Sequence, residues 1–382
     1  MPPPIAIIGG GPCGLTLARL LDCKGIDYLV HERDESEQST HTGGSLDIHP
    51  ETGQRALREA GLYDEFKKYA RYDDTVFTVA DKSGKKLLRI GQRRDAPEID
   101  RRELRKILLH AIPREKIKWG HALKSATLGE DGRPVLHFTN GTTASGFKLV
   151  VGADGAWSKV RLLVSPETPH YTGRSYLESR ITLENPHYPT LTAQAGAGTS
   201  MAISAHKIIL TQRQGDSSYR TYFGLPVPEK YFQDKANIDL QDPQKTRDVL
   251  LSTHFADWAE VHKDLIRHAT DFRAWPLYSL PEAEHLGWKS VSGVTLAGDA
   301  AHLAVPNGEG VNLAMKDSLE LATKIAKCGV ENIDQAVREY EEDMFPRGAK
   351  TIREGNVMAE IMFSEGPEPL VELMTSFGAG SE

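Results

Sequence analysis

The chain has 382 residues, of which 39% are hydrophobic and 26% charged, and its net charge is -7. This length and composition are typical of a globular protein with two domains. The acidic balance and the lack of a long basic block argue against nucleic acid or anionic lipid as partners, and no apolar run approaches the roughly 18 residues of a membrane span.

The cysteines and the start of the chain predict a cytoplasmic protein. Cys13, Cys23 and Cys328 are scattered and match no metal-ligand spacing, so we expect neither a disulfide framework nor a metal site. Three prolines lead directly into an apolar segment at Ile5, which leaves no room for a signal peptide.

The first thirty residues carry the pattern of a nucleotide-binding unit. Ile5 to Ile8 form an unbroken apolar run, as in a strand buried on both faces, and a helical apolar pattern follows. Between them lies Gly9-x-Gly11-x-x-Gly14. The first glycine permits a tight turn, the second lets backbone approach a pyrophosphate, and the third lets helix and strand come close. The sequence therefore predicts a dinucleotide site, with a turn in any α/β protein as the simpler alternative.

Glu32 ends the next apolar segment, 18 residues after Gly14. A carboxylate in this place accepts both hydroxyls of an adenosine ribose and repels a 2′-phosphate. FAD or NAD is therefore favoured over NADP, and Arg33 is placed to lie over the adenine.

The segment that follows is predicted to line the cofactor and then to form a hairpin. Residues 34–49 are polar, contain glycines and include Asp47. Alternating apolar residues at Thr75–Ala80 and Lys85–Ile90 then predict two antiparallel strands.

A helix is predicted to begin after Asp100, which is a suitable N-cap. Arg101 and Arg105 lie four residues apart and therefore share one face of it. On spacing alone, an exposed helix face is the simpler explanation for such a pair.

The middle of the chain is dominated by strand patterns and includes a strong hairpin signal at Asn140-Gly141. The predicted strands are Leu123–Leu128, Val135–Thr139, Leu149–Val151, Tyr176–Leu183, Ser200–Gln212 and Tyr219–Leu225, with one helical stretch at Thr246–Ala259. The part from about residue 171 to 275 is therefore expected to form a separate, sheet-based unit.

Near the C-terminus, a buried strand from Val294 runs into Gly298-Asp299-Ala-Ala-His302 and a loop with Pro306, Gly308 and Gly310. A helix with small residues every fourth position follows that loop. Two further helices are predicted, at about Ile333–Phe345 and Thr351–Met362.

Three motifs occur in a fixed order: the first glycine loop with Glu32, the segment Gly152-Ala-Asp154-Gly155, and the segment Gly298-Asp299-Ala-Ala-His302. With them, the sequence resembles the FAD-dependent aromatic hydroxylases, the class A flavoprotein monooxygenases, over nearly its whole length. It looks most similar to the tetracycline-inactivating members, through Gly43-Gly44-Ser-Leu-Asp47-Ile-His49 and the stretch from Pro97 to Arg105.

The resemblance implies an α/β fold: a Rossmann-like FAD-binding domain of the glutathione-reductase type with an inserted β-sheet substrate domain and C-terminal helices. The implied FAD-binding segments are 1–72, 96–170 and 285–330. The substrate domain is expected to comprise a hairpin at 73–95 and the sheet at 171–284, and the C-terminal helices residues 331–382.

The resemblance also implies roles for individual residues. Asp299 is expected to accept a hydrogen bond from a ribityl hydroxyl, with an ordinary helix N-cap as the alternative. Arg101 is expected to reach the flavin chain or pyrophosphate, supported by Arg105. Asp154 is expected to serve the nicotinamide donor as well as the FAD fold, unless its segment is only a turn with Arg161 pairing locally.

The backbone from Gly308 to Asn312 is expected to lie beside the isoalloxazine, and Glu309 stands where relatives commonly have glutamine or arginine. The full predicted cofactor set is Gly9, Gly11, Gly14, Glu32, Arg33, Asp47, Arg101, Arg105, Asp154, Asp299, Pro306, Gly308, Gly310, Val311 and Asn312.

In this family NADPH reduces the flavin, O₂ adds to form a C4a-hydroperoxide, and one oxygen atom passes to an electron-rich carbon. No catalytic side chain and no metal are then expected, and His302 is expected to be structural.

The substrate is expected to be a planar phenolic or polyketide compound. An approximate alignment with the tetracycline-inactivating enzymes places their drug-binding positions at Glu178, Ser200 and Tyr222. Those enzymes have glutamine, arginine and histidine at these positions. Tetracyclines are therefore expected to be turned over weakly at best.

Two other classes of function remain open from the sequence. One is a flavoprotein that binds or sequesters an aromatic metabolite or drug without hydroxylating it. The other is a flavin halogenase or a saturating reductase on the same fold, although Trp275-Pro276 lacks the paired-tryptophan motif of the halogenases.

Overall fold

The computed structural model describes residues 2–39, 43–72, 76–91, 95–196, 198–281 and 286–379. The chain divides into two compact units, each assembled from three segments. The first unit contains Met1–Ala70, Arg101–His170 and Ser279–Asn356. The second contains Arg71–Asp100, Tyr171–Tyr278 and Val357–Glu382.

The centre of the first unit is a five-stranded parallel sheet. The strands of Ile5–Ile8 and Leu149–Gly152 are buried at every residue, as their unbroken apolar sequences predict for strands covered on both faces. The expected α/β architecture is confirmed. In spatial order the strands are Val294–Leu296, Leu149–Gly152, Ile5–Ile8, Tyr28–His31 and Ile117–Lys118.

A small antiparallel sheet and several helices complete the first unit. The hairpin predicted at Asn140-Gly141 is confirmed, because Pro134–Phe138 and Thr143–Ala144 pair antiparallel around it. The other strands are Leu123–Leu128 and Ser45–Asp47. The helices are Pro12–Cys23, Arg55–Glu59, Tyr63–Lys67, Arg101–His110, Asp299–His302, Gly310–Cys328 and Ile333–Met362, the last of which ends in the second unit.

The prediction of two helices separated near residue 346 is wrong. One helix, Ile333–Met362, runs through Pro346, which removes a backbone N–H and normally ends a helix. The turns on both sides are held by burial of Tyr340, Met344 and Ile352, so tertiary contacts outweigh the local cost of the proline.

The second unit is built on a seven-stranded sheet. One face carries the core of the unit, which includes Phe223, Ile209, Phe255 and Trp258. In spatial order the strands are Thr270–Ser279, His170–Ile181, Tyr219–Leu225, Lys207–Arg213, Thr199–Ser204, Val76–Ala80 and Lys86–Gly91. The remaining elements are the strand Glu98–Asp100 and the helices Tyr188–Ala195, Pro243–Val249, Glu260–Arg267 and Glu368–Ala379.

The first predicted hairpin of the sheet unit is confirmed by the antiparallel pairing of Val76–Ala80 with Lys86–Gly91. Asp81 fixes its turn, because one carboxylate oxygen accepts the backbone N–H groups of Ser83 at 2.8 Å and Lys85 at 3.1 Å. Thr75, the predicted first residue of the hairpin, lies outside the described residues.

The single strand predicted at Ser200–Gln212 is wrong, because the chain turns back at Ala205 and His206, both of which have positive φ. The final segment of the unit explains this turn. The backbone oxygens of Ser364 and Glu365 accept the N–H groups of His206 and Ala205, at 3.0 and 2.8 Å. These contacts hold a conformation that neither residue favours.

The helical stretch predicted at Thr246–Ala259 is interrupted in the structure. Pro243–Val249 continues as one π-helical turn, Leu250–His254, and the next helix begins only at Glu260. Phe255 and Trp258 lie in the break and are buried in the core, so tertiary packing overrides the helical pattern.

Candidate functional site

The first glycine loop joins the strand Ile5–Ile8 to the helix Pro12–Cys23, as predicted. A Cβ at Gly9 would lie 2.3 Å from the backbone oxygen of Ala153, and one at Gly14 would lie 2.0 Å from the oxygen of Gly9. Both positions therefore need glycine for close backbone contact. A Cβ at Gly11 would meet no atom within 4 Å, so the loop presents open backbone at the helix N-terminus, where a pyrophosphate fits.

Glu32 follows the strand Tyr28–His31 and is buried. The N–H of Gly10 donates to Oε2, and the N–H of Asp34 donates to Oε1 at 3.0 Å. Because a carboxylate has about four lone-pair sites, both oxygens can still accept ribose hydroxyls. Arg33 is exposed beside it.

The two arginines of the helix Arg101–His110 have different surroundings. Arg105 is buried, and its Nε donates to the backbone oxygen of Gly10 at 3.3 Å while Nη2 lies 3.3 Å from Asp34. Arg105 thus supports the glycine loop directly. Arg101 lies against Gly43, where an added Cβ would come within 2.7 Å of its Cδ.

The N-cap expected at Asp100 is not observed. The carboxylate of Asp100 is instead hydrogen-bonded to Arg71 and to the N–H of Gly215.

Asp154 and Asp299 are linked through a buried arginine. Arg161 donates from Nε to the oxygen of Ala300 at 2.8 Å and from Nη2 to the oxygens of Ala156 and Asp299, at 2.9 and 3.0 Å. Burial lowers the pKa of Arg161 to about 10, so it remains charged at neutral pH. Asp154 accepts the N–H of Lys159 at 2.8 Å, and burial raises its pKa.

A second buried network holds the turn before Asp299. Asp317 is fully buried, and its carboxylate accepts the N–H of Gly298 at 2.9 Å, His302 Nε2 at 2.6 Å and Arg347 Nη2 at 2.9 Å. Burial lowers the pKa of His302, but the Asp317 carboxylate outweighs burial and raises it overall. Asp317, held by His302 and Arg347, therefore positions the backbone that carries Asp299.

The loop that precedes the helix Gly310–Cys328 is exposed at Pro306 and Gly308, and Gly310, the first residue of the helix, is exposed as well. Asn312, buried in the first helical turn, ties this loop to the segment around Asp47. Its Nδ2 donates to the oxygen of Asp47 at 2.9 Å. Val311 precedes it and is half-buried.

His49 is held between two carboxylates beside the same loop. Nε2 lies 2.8 Å from Asp47 Oδ2, and Nδ1 lies 3.3 Å from Glu309 Oε1. Partial burial opposes protonation, but the hydrogen bonds to Asp47 and Glu309 together raise the pKa of His49 to about 10. An imidazolium therefore offsets one of the two negative charges.

Two of the three predicted substrate positions share one face of the seven-stranded sheet. Glu178 is opposite Tyr222, and the same row continues through Leu210 to Met201. Because successive residues of a strand point to opposite faces, Ser200 lies on the other face, which carries the core. The structure therefore does not bring Ser200 together with Glu178 and Tyr222, and Met201 takes the corresponding place.

Glu178 is buried and both of its carboxylate oxygens are already bonded. Oε1 forms an ion pair with Arg220, and Oε2 accepts the indole N–H of Trp275 at 2.9 Å. Tyr222 contacts Tyr176 edge-on, with ring centroids 5.8 Å apart.

Among the residues that the structure describes, no cluster of His, Cys, Asp or Glu could hold a metal ion. No helix in the described ranges is long and apolar enough to cross a membrane.

Comparison with known proteins identifies the class. Residues 3–354 match the model of a family described as an FAD binding domain. The chain is 31% identical to the monooxygenase asqM of Emericella nidulans, over 87% of this chain and 86% of that protein. It is 27% identical to a 3-amino-4-hydroxybenzoate 2-monooxygenase of Streptomyces cremeus, over 95% of this chain and 89% of that protein.

The fold is also that of the tetracycline destructase Tet(55), with a TM-score of 0.72 and 20% identity over 96% of this chain and 91% of that one. The chain belongs to the FAD-binding-domain family of flavin-dependent aromatic hydroxylases, and the expected resemblance is confirmed. It is a FAD-dependent monooxygenase.

Several residues of these sites were not assigned a role from the sequence. Arg161 was considered only as a local partner, and Asp317 follows Asn312 by five residues without a pattern that marks it. Arg220 and Trp275 could be found only through the strand register. A search for charged residues inside strands and helices would have highlighted Asp317, Glu178 and Arg220, but not which of them form pairs.

Proposed function

We propose that this protein is an NAD(P)H-dependent hydroxylase of a planar phenolic or polyketide compound, with NADPH as the donor. The strongest support is the conjunction of the glycine loop, the buried Glu32 and the Arg161-linked Asp299 segment in a chain of the monooxygenase family. The named aromatic substrate of the Streptomyces relative agrees with this class of compound.

The chain's own residues bind and orient FAD in this proposal. Glu32 accepts the adenosine ribose hydroxyls, and Arg33 covers the adenine. The open backbone at Gly11 receives the pyrophosphate together with Arg101, and Arg105 keeps that backbone in place. FAD, when bound, supplies the redox chemistry by taking a hydride from the donor and activating O₂.

The segments near the C-terminus hold the reactive end of the cofactor. Asp299 accepts a ribityl hydroxyl, and its backbone is fixed by Arg161 and Asp317. The backbone from Gly308 to Asn312, which is exposed at Gly308 and Gly310, lies along the pyrimidine edge, where N–H donors stabilise negative charge. Asp154 contributes to the donor site.

The substrate lies on the sheet face that carries Glu178 and Tyr222. Since both Glu178 oxygens are already engaged and Tyr222 carries a phenol, these two positions do not offer the amide and imidazole groups that tetracycline-inactivating enzymes direct at the drug. We expect tetracyclines to be poor substrates for this reason. The scattered cysteines support a cytoplasmic location.

Mass spectrometry of products tests this function. The FAD-loaded protein is incubated with NADPH, O₂ and, separately, phenols, planar polyketides and tetracycline. We expect ligand-stimulated NADPH oxidation and an oxygenated product from a phenolic or polyketide compound. Binding without NADPH consumption by any compound would favour a sequestering protein, and fastest oxygenation of tetracycline would contradict the substrate assignment.

A further inference from the structure

We propose that the sheet face of the second unit recognises a flat, uncharged aromatic compound through a carbonyl oxygen at its rim, and that Arg220 donates the hydrogen bond. This inference rests on the proposed function, which assigns the substrate to that face. It adds the chemical class of the ligand and the residues that select it.

Arg220 is the donor because it is mostly buried and only partly used. Its side chain is 14% exposed, and its Nη1 forms the ion pair with Glu178. Its Nε is buried and has no hydrogen-bond partner among the described residues. A buried N–H without an acceptor is costly, so an oxygen from a ligand would satisfy it.

Glu178 fixes the orientation of two neighbouring side chains, Arg220 and Trp275. One carboxylate oxygen holds Arg220, and the other holds the indole N–H of Trp275 at 2.9 Å. The indole ring is thereby fixed by its edge while the side chain remains 39% exposed. A fixed, exposed aromatic ring offers a surface against which a flat ligand can stack.

The rest of the row is apolar or aromatic. Tyr222, Leu210 and Met201 continue the row from Glu178 across neighbouring strands. Tyr176, two residues before Glu178, is buried against Tyr222 and Phe363, and burial raises the pKa of its phenol. A planar ring system therefore meets an apolar and aromatic row beside the Arg220 donor.

Two arginines of this face already have carboxylate partners before a ligand binds. Arg220 is paired with Glu178, and Arg180, in the neighbouring row, is paired with Asp216. An incoming carboxylate would bring an uncompensated negative charge next to Glu178 and would lose its own hydration. A neutral carbonyl uses the free Nε–H of Arg220 without that cost.

A matched pair of ligands tests the selection. The probes are 3-amino-4-hydroxybenzamide and 3-amino-4-hydroxybenzoate, which share a ring and differ in charge. Their dissociation constants for the FAD-loaded protein are measured by equilibrium dialysis near neutral pH. We expect the benzamide to bind about tenfold more tightly than the benzoate.

Three variants separate a change in ligand preference from a general loss of folding. Glu178→Gln removes the compensating charge and should reverse the preference to favour the benzoate. Arg220→Met removes the donor and should weaken benzamide binding about tenfold. Asp257→Asn removes the carboxylate of an exposed ion pair with Lys82 and should keep the wild-type ratio. FAD content and melting temperature of each variant report folding.

Tighter binding of the benzoate by the wild type, failure of both probes to bind, or an unchanged ratio in a folded Glu178→Gln protein would overturn the inference. If that variant does not fold, the wild-type ratio and Arg220→Met still decide. Hydroxylation of the benzoate in preference to the amide would refute this inference and leave the proposed function intact. If the predicted binding ratios are found but no compound yields an oxygenated product, the proposed function is refuted and this inference stands.

Discussion

Arg161 donates a hydrogen bond from Nη2 to the backbone oxygen of Asp299, 138 residues further along the chain, at 3.0 Å. The same guanidinium also holds the oxygens of Ala156 and Ala300. It therefore joins the segment around Asp154 to the segment that carries Asp299, and both belong to the proposed FAD site.

Replacement of Arg161 by lysine should destabilise the protein and weaken FAD retention. A lysine cannot reproduce the planar fork, so at least one buried carbonyl loses its partner, at a cost of about 1–3 kcal/mol. Chemical denaturation and FAD titration measure the two effects. Arg133→Lys, at an exposed turn, is the control, and equal behaviour of the two variants would contradict the assigned role.

Asp317→Asn should lower the free energy of unfolding by about 3–5 kcal/mol, because it leaves Arg347 and His302 beside an amide in a buried network. Thermal unfolding with and without FAD measures this loss. Asp64→Asn, which removes an exposed ion pair with Lys67, should leave the melting temperature nearly unchanged. A stable Asp317→Asn protein with normal FAD binding would show that the network is dispensable.

His49 predicts a pH dependence of stability. Its pKa is raised in the folded protein to about 10 from an ordinary value of 6.5, so folding favours the protonated form. The contribution is complete below pH 6.5 and is lost as the pH rises towards 10. Melting temperatures across this range should fall less steeply for His49→Gln than for the wild type. Parallel curves would indicate that His49 is not held as an imidazolium.

Glu32→Gln tests the ribose acid. Glutamine can still accept one of the backbone N–H groups from Gly10 and Asp34, but it loses the charge that strengthens bonds to the ribose hydroxyls. FAD binding should weaken by about 1.5–3 kcal/mol. Lys82→Ala, in the hairpin turn of the second unit, should leave FAD affinity unchanged. Similar affinities for both variants would remove Glu32 from the site.

The elements predicted well from the sequence are those with strong local signals. The apolar run at Ile5–Ile8 predicts the buried strand that is observed. The glycines after it predict a turn in which the backbone of strand and helix come close, as the contacts at Gly9 and Gly14 show. The turns at Asn140-Gly141 and around Asp81 are likewise set by residues that favour them locally.

Features that depend on distant contacts were not predictable in the same way. The turn at Ala205-His206 contains no residue that favours positive φ, and the backbone of Ser364 and Glu365 holds it. Pro346 stays within a helix because burial on both sides of it outweighs its local cost.

The substrate face shows a further limit. A shift of one residue along a strand moves a side chain to the opposite face. The strand register, which cannot be read from the sequence, places Met201 in the row of Glu178 and Ser200 on the other face. The partners of Glu178, Arg220 and Trp275, come from two other strands and become apparent only when the sheet is assembled.

The central claim is that bound FAD carries out hydroxylation with O₂ and a nicotinamide donor. Isotope incorporation tests this most directly: the FAD-loaded protein is given NADPH, ¹⁸O₂ and the phenolic or polyketide compound that most stimulates NADPH oxidation. We predict a product that contains one ¹⁸O atom and whose formation requires FAD. A product without ¹⁸O, or NADPH consumption that yields only hydrogen peroxide with every compound, would contradict the claim.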